Sequence, residues 1–204
     1  MPGPREVRRN PSKGADSRER VLQIAAKVLA ERGYAGTTIR VVAKRSGLEA
    51  ASLYYHFSSK DELVECVLSH GLVELAGKLR AAVSSLPAAA TSREAFLVAT
   101  NVHLQYLVSN GDYALASRRV LNQVHPDVRR KLVVLRDDID RFWRDLLETA
   151  RQRSELHAAV DLSLLRSFVL GALNSVLEWY RPGRKSIDEI SEQFALIITE
   201  AVFR

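Results

Sequence analysis

The stretch Thr37–Lys60, TTIRVVAKRSGLEAASLYYHFSSK, carries two helical spacings separated by a glycine. Thr38 has a side chain that caps helix N-termini. Ile39, Val42, Ala43 and Ser46 then recur on one face, with Arg40 and Lys44 on another. Gly47 stops that helix where a turn needs a residue tolerant of positive φ. A second helix is expected over 49–56, with Leu53 and Phe57 inward and Ala50, Ala51 and Ser52 at its N-terminal end. Two short helices joined in this way make a helix-turn-helix, whose second helix enters the major groove with its first residues against the base edges. Small side chains there permit close approach, and Tyr54, Tyr55, His56 and Lys60 stand where flanking phosphates would lie.

Charge points the same way. The chain has 204 residues and a formal net charge of +6. Residues 1–60 hold 12 Lys and Arg against 5 Asp and Glu, whereas residues 61–204 hold 18 against 19. The basic excess therefore lies on the segment with the motif, and a phosphate footprint explains it better than a solvated basic surface. A lone cysteine, Cys66, leaves no intrachain disulfide framework and sits among apolar helical positions, so a buried, inert thiol is expected. The N-terminus has no apolar signal core, and no run reaches the ~18 apolar residues of a membrane span. A cytosolic (cytoplasmic) protein with no membrane partner is expected.

Outward from the motif, residues 1–15 are rich in Pro, Gly and Arg without periodicity and are expected to form a disordered basic arm. Arg5, Arg8, Arg9 and Lys13 would add non-specific DNA affinity or remain a plain solvated tail. Asp16 with Glu19 suggests a capping box for a first helix that buries Val21, Ile24, Ala25, Val28 and Leu29 and ends at Gly33. The DNA-binding domain is thus expected over 16–60. Ser59 and Glu62 suggest another box, and the stripe Val64, Leu68, Leu72, Leu75, Leu79, Ala82, Leu86 keeps helical phase for about 40 Å. That helix is long enough to run from the head into a second domain over 61–204.

Thr91 and Glu94 cap the next helix, to about Val108, and Asn110-Gly111-Asp112 reads as a turn. A short helix over 113–123 and a long one from Pro126 to about Arg153 follow. The segment 161–180 is apolar nearly all round, so it is either central to the domain or partly covered by another subunit. Ser186 with Glu189 caps a last helix bearing Ile190, Phe194, Ile197 and Ile198. Strand signals are lacking, so the class is all-α.

No P-loop, dinucleotide-binding glycine turn, nucleophile elbow or HExxH is present, and the five histidines lack metal-ligand spacing. No enzyme activity, cofactor or metal is expected. Polar groups on otherwise apolar helix faces remain: His103, Tyr106, Asn122, Trp143 and Asn174. A mainly apolar pocket with a few orienting polar groups is a common ligand site between bundle helices, although each residue singly also suits a core or surface role. Asn174 is the most suggestive, because an amide deep in a helix is costly without a partner.

The runs Thr37-Thr38-Ile39-Arg40, Val42-Ala43, Ser46-Gly47-Leu48 and Leu53-Tyr54-Tyr55-His56-Phe57, ahead of Lys60-Asp61-Glu62-Leu63, resemble the TetR family of bacterial transcriptional regulators. The resemblance implies a homodimer joined through its last two helices, with an inducer pocket among the middle ones. It implies base contacts from Arg40, Ala50, Ala51 and Ser52, and phosphate contacts from Thr38, Tyr54, Tyr55, His56 and Lys60. Glu178-Trp179-Tyr180-Arg181-Pro182-Gly183 also resembles a subgroup of fatty-acid and steroid catabolism that responds to acyl-CoA thioesters. Arg118, Arg119 and Arg166 are then candidates to meet a CoA phosphate, or are surface ion pairs. The leading expectation is a repressor that binds palindromic operator DNA and is released by a small-molecule effector. The alternatives are an activator or architectural DNA binder without a ligand, and a helical enzyme or carrier that uses the helix-turn-helix only as packing.

Overall fold

The computed structural model describes the backbone of residues 11–181 and 183–204, and side chains from Ser17 onwards except at position 182. Nine helices occur among these residues: α1 (Pro11–Arg32), α2 (Ile39–Ser46), α3 (Ala50–His56), α4 (Lys60–Ser84), α5 (Ser92–Ser109), α6 (Gly111–Val120), α7 (Pro126–Gln152), α8 (Leu162–Trp179) and α9 (Ile187–Val202). The only β pairing among the described residues is an isolated bridge between Leu156 and Phe203. The chain is all-α.

Local chemistry sets most boundaries. Thr91 with Glu94 and Ser186 with Glu189 form complete capping boxes at α5 and α9, each satisfying two otherwise unpaired backbone donors. At α4 the expected box is only half formed. The Ser59 hydroxyl accepts from the Glu62 N–H, but the Glu62 carboxylate reaches back to the N–H of Ser58, at 2.7 Å, instead of Ser59. Helix α4 also stops at Ser84, short of Leu86.

Two expected boundaries move. Helix α1 starts at Pro11, ahead of Asp16. Proline suits a first helical turn, where its missing N–H has no intrahelical role, and one glycine in the next residues does not break a helix. The rest of the expected arm, with Arg5, Arg8 and Arg9, lies outside the described residues. Asn110-Gly111-Asp112 is also not an open turn, since α6 resumes at Gly111 after the single residue Asn110. The reason is packing. A Cβ on Gly111 would lie 3.0 Å from Leu177 of α8, so this corner is held tightly against that helix.

The buried apolar side chains form two clusters. One gathers α1, α2 and α3 with Leu63, Val64, Val67 and Leu68 of α4, Tyr113, Ala116 and Val120 of α6, and Leu132 of α7. The other joins the second half of α4 to α5, α7, α8 and α9 around Phe96, Leu104, Trp143, Leu147, Val169 and Leu173. Helices α4 and α7 contribute to both. The space between the clusters is where the candidate effector site lies.

Candidate functional site

The reading pair is built from α1 upward. Gly33, at φ 68°, lets the chain leave α1 in the left-handed region, and buried Thr37 donates its hydroxyl to the Gly33 carbonyl at 2.8 Å. Thr38 caps α2 by accepting from the Val41 N–H at 3.2 Å. Gly47, at φ 68°, closes α2, and the Leu48 N–H bonds the Ala43 carbonyl at 2.9 Å. Burying Leu53 and Phe57 then fixes the roll of α3. That roll leaves Ala51, Ser52, Tyr54, Tyr55 and His56 exposed, Ala50 half-buried, and Thr38 and Arg40 exposed on the neighbouring helix start. Of the nine expected DNA residues, seven are therefore exposed, and Ala50 and Lys60 are half-buried.

Lys60 makes contacts within the subunit. Its ammonium lies 3.8 Å from the Tyr34 ring centroid, and burial there lowers its pKa against the opposing pull of Asp61. The Tyr34 hydroxyl donates to Asp61, which pushes the phenol up to about 12. Lys60, the first residue of α4, thus ties that helix start to the link between α1 and α2. Cys66 is half-buried beside Arg18, and burial pushes its thiol up, away from the reactive thiolate.

The second feature is a cavity of about 590 Å³, partly open to solvent and lined by α4, α5, α6, α7 and α8. Its wall on α4 is Leu68, Gly71, Leu72 and Leu75. Gly71 is needed there, because a Cβ would sit 2.7 Å from the Tyr113 Cβ of α6. His103, Tyr106 and Tyr113 line the buried end, while Arg118, Arg136, Asp137 and Glu178 are lining residues exposed to solvent. Tyr106 donates its hydroxyl to the Gly71 carbonyl at 2.9 Å, and burial pushes its pKa up.

Burial lowers His103 to about 4, so the ring is neutral. The Asn174 amide lies close enough to oppose that shift, yet neither ring nitrogen reaches hydrogen-bond geometry, and burial decides.

Three of the five expected ligand residues, His103, Tyr106 and Asn174, line this cavity. Asn174 does so from an exposed position on α8, so it is not the deeply desolvated amide that its place in an apolar helix suggests. Asn122 faces solvent in the turn after α6, which ends at Val120, and it does not line the cavity. Trp143 is fully buried behind the wall, its ring 5.6 Å from Phe96 and 5.9 Å from His103. Sequence reading missed Tyr113. Its position at the expected start of a helix gave no sign that its hydroxyl would be buried. Among the described residues no group of His, Cys, Asp and Glu is placed to hold a metal ion.

Residues 21–67 match the family model for bacterial regulatory proteins of the tetR family. Residues 89–202, more than half of the chain, match the tetracyclin repressor-like C-terminal domain. The chain belongs to the TetR family of transcriptional regulators. Over 186 residues it is 28% identical to the HTH-type transcriptional repressor KstR2 of Rhodococcus jostii (strain RHA1), covering 91% of this chain and 90% of that one. It shares its fold with the ketosteroid transcriptional regulator KstR2 of Mycobacterium tuberculosis, at a TM-score of 0.80 and 23% identity over 98% of this chain and 100% of that one. FadR from Bacillus subtilis, solved in complex with stearoyl-CoA, has the same fold at a TM-score of 0.72 and 16% identity, covering 88% and 96%.

Three arginines of this TetR-family chain have distinct placements. Arg118 pairs with Glu178 at 2.6 Å beside the cavity, and Arg166 pairs with Asp140 at 3.1 Å. Arg119 turns the other way and donates to the carbonyls of Ala30 and Glu31, at 2.7 and 2.8 Å, at the end of α1. It is therefore committed to the head and not to the cavity. Helix α8 is not buried on every side. Leu165, Val169, Leu173 and Val176 face the core, whereas Leu164 is 70% and Phe168 63% exposed, and Ile197 of α9 is 64% exposed. No helix among the described residues is long and apolar enough to cross a membrane.

Proposed function

We propose that this TetR-family protein is a ligand-responsive transcriptional repressor, acting in the cytoplasm. It binds palindromic operator DNA as a homodimer, and a small-molecule effector releases it. The observation that carries the reading is the course of α4. Its first turn follows the reading helix after a three-residue link, and its middle forms a wall of the 590 Å³ cavity. A ligand that moves this wall tilts the helix that leaves the DNA head. Specific binding by a dimer needs both reading helices on the same face of DNA about one helical turn apart, so a small tilt misplaces them. The effector must bind the displaced form more tightly than the DNA-bound form, and operator must weaken effector binding by the same factor.

Exposed Leu164 and Phe168 on α8 and Ile197 on α9 support dimerisation through these helices, since large apolar side chains left in water are what a subunit interface covers. A cavity of this size lies within the range of ligand pockets, which favours an effector-responsive regulator over a DNA binder without a ligand. An acyl-CoA thioester is the proposed effector class. The apolar cavity suits an acyl chain, exposed Arg118 and Arg136 suit phosphates, and a protein of the same fold is known with stearoyl-CoA.

The test begins with operator sites selected from a random duplex pool. Operator binding is then titrated with and without stearoyl-CoA, and stearoyl-CoA binding with and without operator. Equal and opposite shifts in the two affinities are expected. A ligand that binds free and DNA-bound protein equally well sinks the mechanism.

A further inference from the structure

The cavity holds hydrogen-bonding capacity that nothing in the chain uses. The Tyr113 hydroxyl on α6 and both ring nitrogens of His103 on α5 have no hydrogen-bond partner among the described residues, although the two residues are only 4% and 1% exposed. Both line the same cavity. Tyr106 beside them differs, because its proton already goes to the Gly71 carbonyl. A neutral imidazole offers one donor and one acceptor, and a phenol offers a donor with acceptor capacity to spare. Buried polar groups are normally paired, so two unpaired residues around one space mark something that the space is built to receive.

The charges sort the ends of that ligand. Arg118 and Arg136, the cations that line the cavity, are both solvent-exposed, with Asp137 and the Arg118 partner Glu178 also exposed beside them, and no cation is among the buried lining residues that include His103 and Tyr113. A carboxylate placed there would be buried without a counter-charge. A plain alkyl chain would pack on the apolar wall but leave both polar residues without a partner.

We propose that the inner end of the effector carries a neutral oxygen, a ketone or hydroxyl on an apolar body, which accepts a hydrogen bond from Tyr113 and pairs with His103. This narrows the ligand class of the effector cavity and rests on that reading of it. A site equipped to hydrogen-bond a ligand oxygen rejects the analogue lacking it far more strongly than an apolar pocket rejects a missing methylene. Tyr113 and His103 are thus the specificity-determining pair, while the exposed cations hold the charged end outside.

Two probes that differ by one oxygen test this: dodecanoyl-CoA and 11-oxododecanoyl-CoA, titrated calorimetrically into the full-length protein. The oxo probe is expected to bind at least about tenfold more tightly. Tyr113→Phe keeps the ring and its packing against His70, at 5.3 Å, and should reduce the preference several-fold. His103→Leu should reduce it independently. Equal affinity of the two probes for the wild type would mean that both groups keep water partners, and would overturn the proposal with the effector cavity intact. A preference that survives in both variants overturns it too. Binding of neither probe, with operator affinity also unchanged by either, overturns the effector reading as well.

Discussion

Arg40 and His103 show how differently two single residues carry function. Arg40 is exposed in the first turn of α2. Its removal as Arg40→Ala should cost about 1–3 kcal/mol of operator affinity and relax preference at one base pair, as read by binding to a panel of single-substitution operators. Unchanged affinity and preference would remove Arg40 from the base-reading set. His103 acts through burial. Its folded pKa of about 4 lies below the ordinary 6.5, so the unfolded chain binds a proton that the folded chain excludes. Stability is full above pH 6.5, is lost as pH falls toward 4 by up to about 3 kcal/mol, and levels off below that. Urea denaturation at pH 7 and pH 4.5 should show this loss in the wild type and a smaller one in His103→Leu. Arg40 was legible because its neighbours repeat at a local spacing. The candidate ligand residues were legible only as polar interruptions on apolar helices. Whether such a residue lines a cavity, as His103 does, or lies behind its wall, as Trp143 does, depends on how five helices converge, which no local spacing encodes.

Among the elements, α6 is the one whose importance its length conceals. It has ten residues. One face, with Tyr113, Ser117 and Arg118, lines the cavity, while Ala116 and Val120 enter the core of the head. Arg119 adds a polar tie to α1, donating to carbonyls that the helix end leaves without intrahelical partners. The next link is also present: Glu31 pairs with Arg45 of α2 at 2.6 Å. Helix α6 thus offers a second route, besides α4, from the cavity to the reading pair. Arg119→Ala should lower global stability by only about 1 kcal/mol, because the guanidinium is exposed. Hydrogen exchange at the end of α1 and in α2 should rise well beyond what that loss explains. Uniform exchange across the chain would remove Arg119 from the route. The sequence placed these helices well where capping chemistry is local, as at Thr91 and Ser186. It misplaced the α5–α6 corner because contact with Leu177, distant in the chain, keeps the backbone helical there.

At the scale of the whole molecule, the proposed dimer rests on side chains that a single subunit leaves in water. Phe168→Glu and Ile197→Glu should each convert a dimer into a folded monomer with normal helicity, seen by sedimentation at micromolar concentration and by circular dichroism. A wild-type chain that sediments as a stable monomer would exclude α8 and α9 as a permanent interface. An exposed apolar helix face is visible in sequence only as excess hydrophobicity, which a central helix would show equally; the choice needed the subunit's own packing. The apolar cluster beneath the reading helices has a further consequence. Because Ala116, Val120 and Leu132 complete that cluster from far along the chain, the first sixty residues are not an exchangeable cassette. A chimaera that grafts them onto a relative's effector domain inherits a foreign half of their core. Engineered sensors built by swapping heads should therefore carry α6 and the start of α7 along with the reading pair, and their crossover belongs where the two clusters meet.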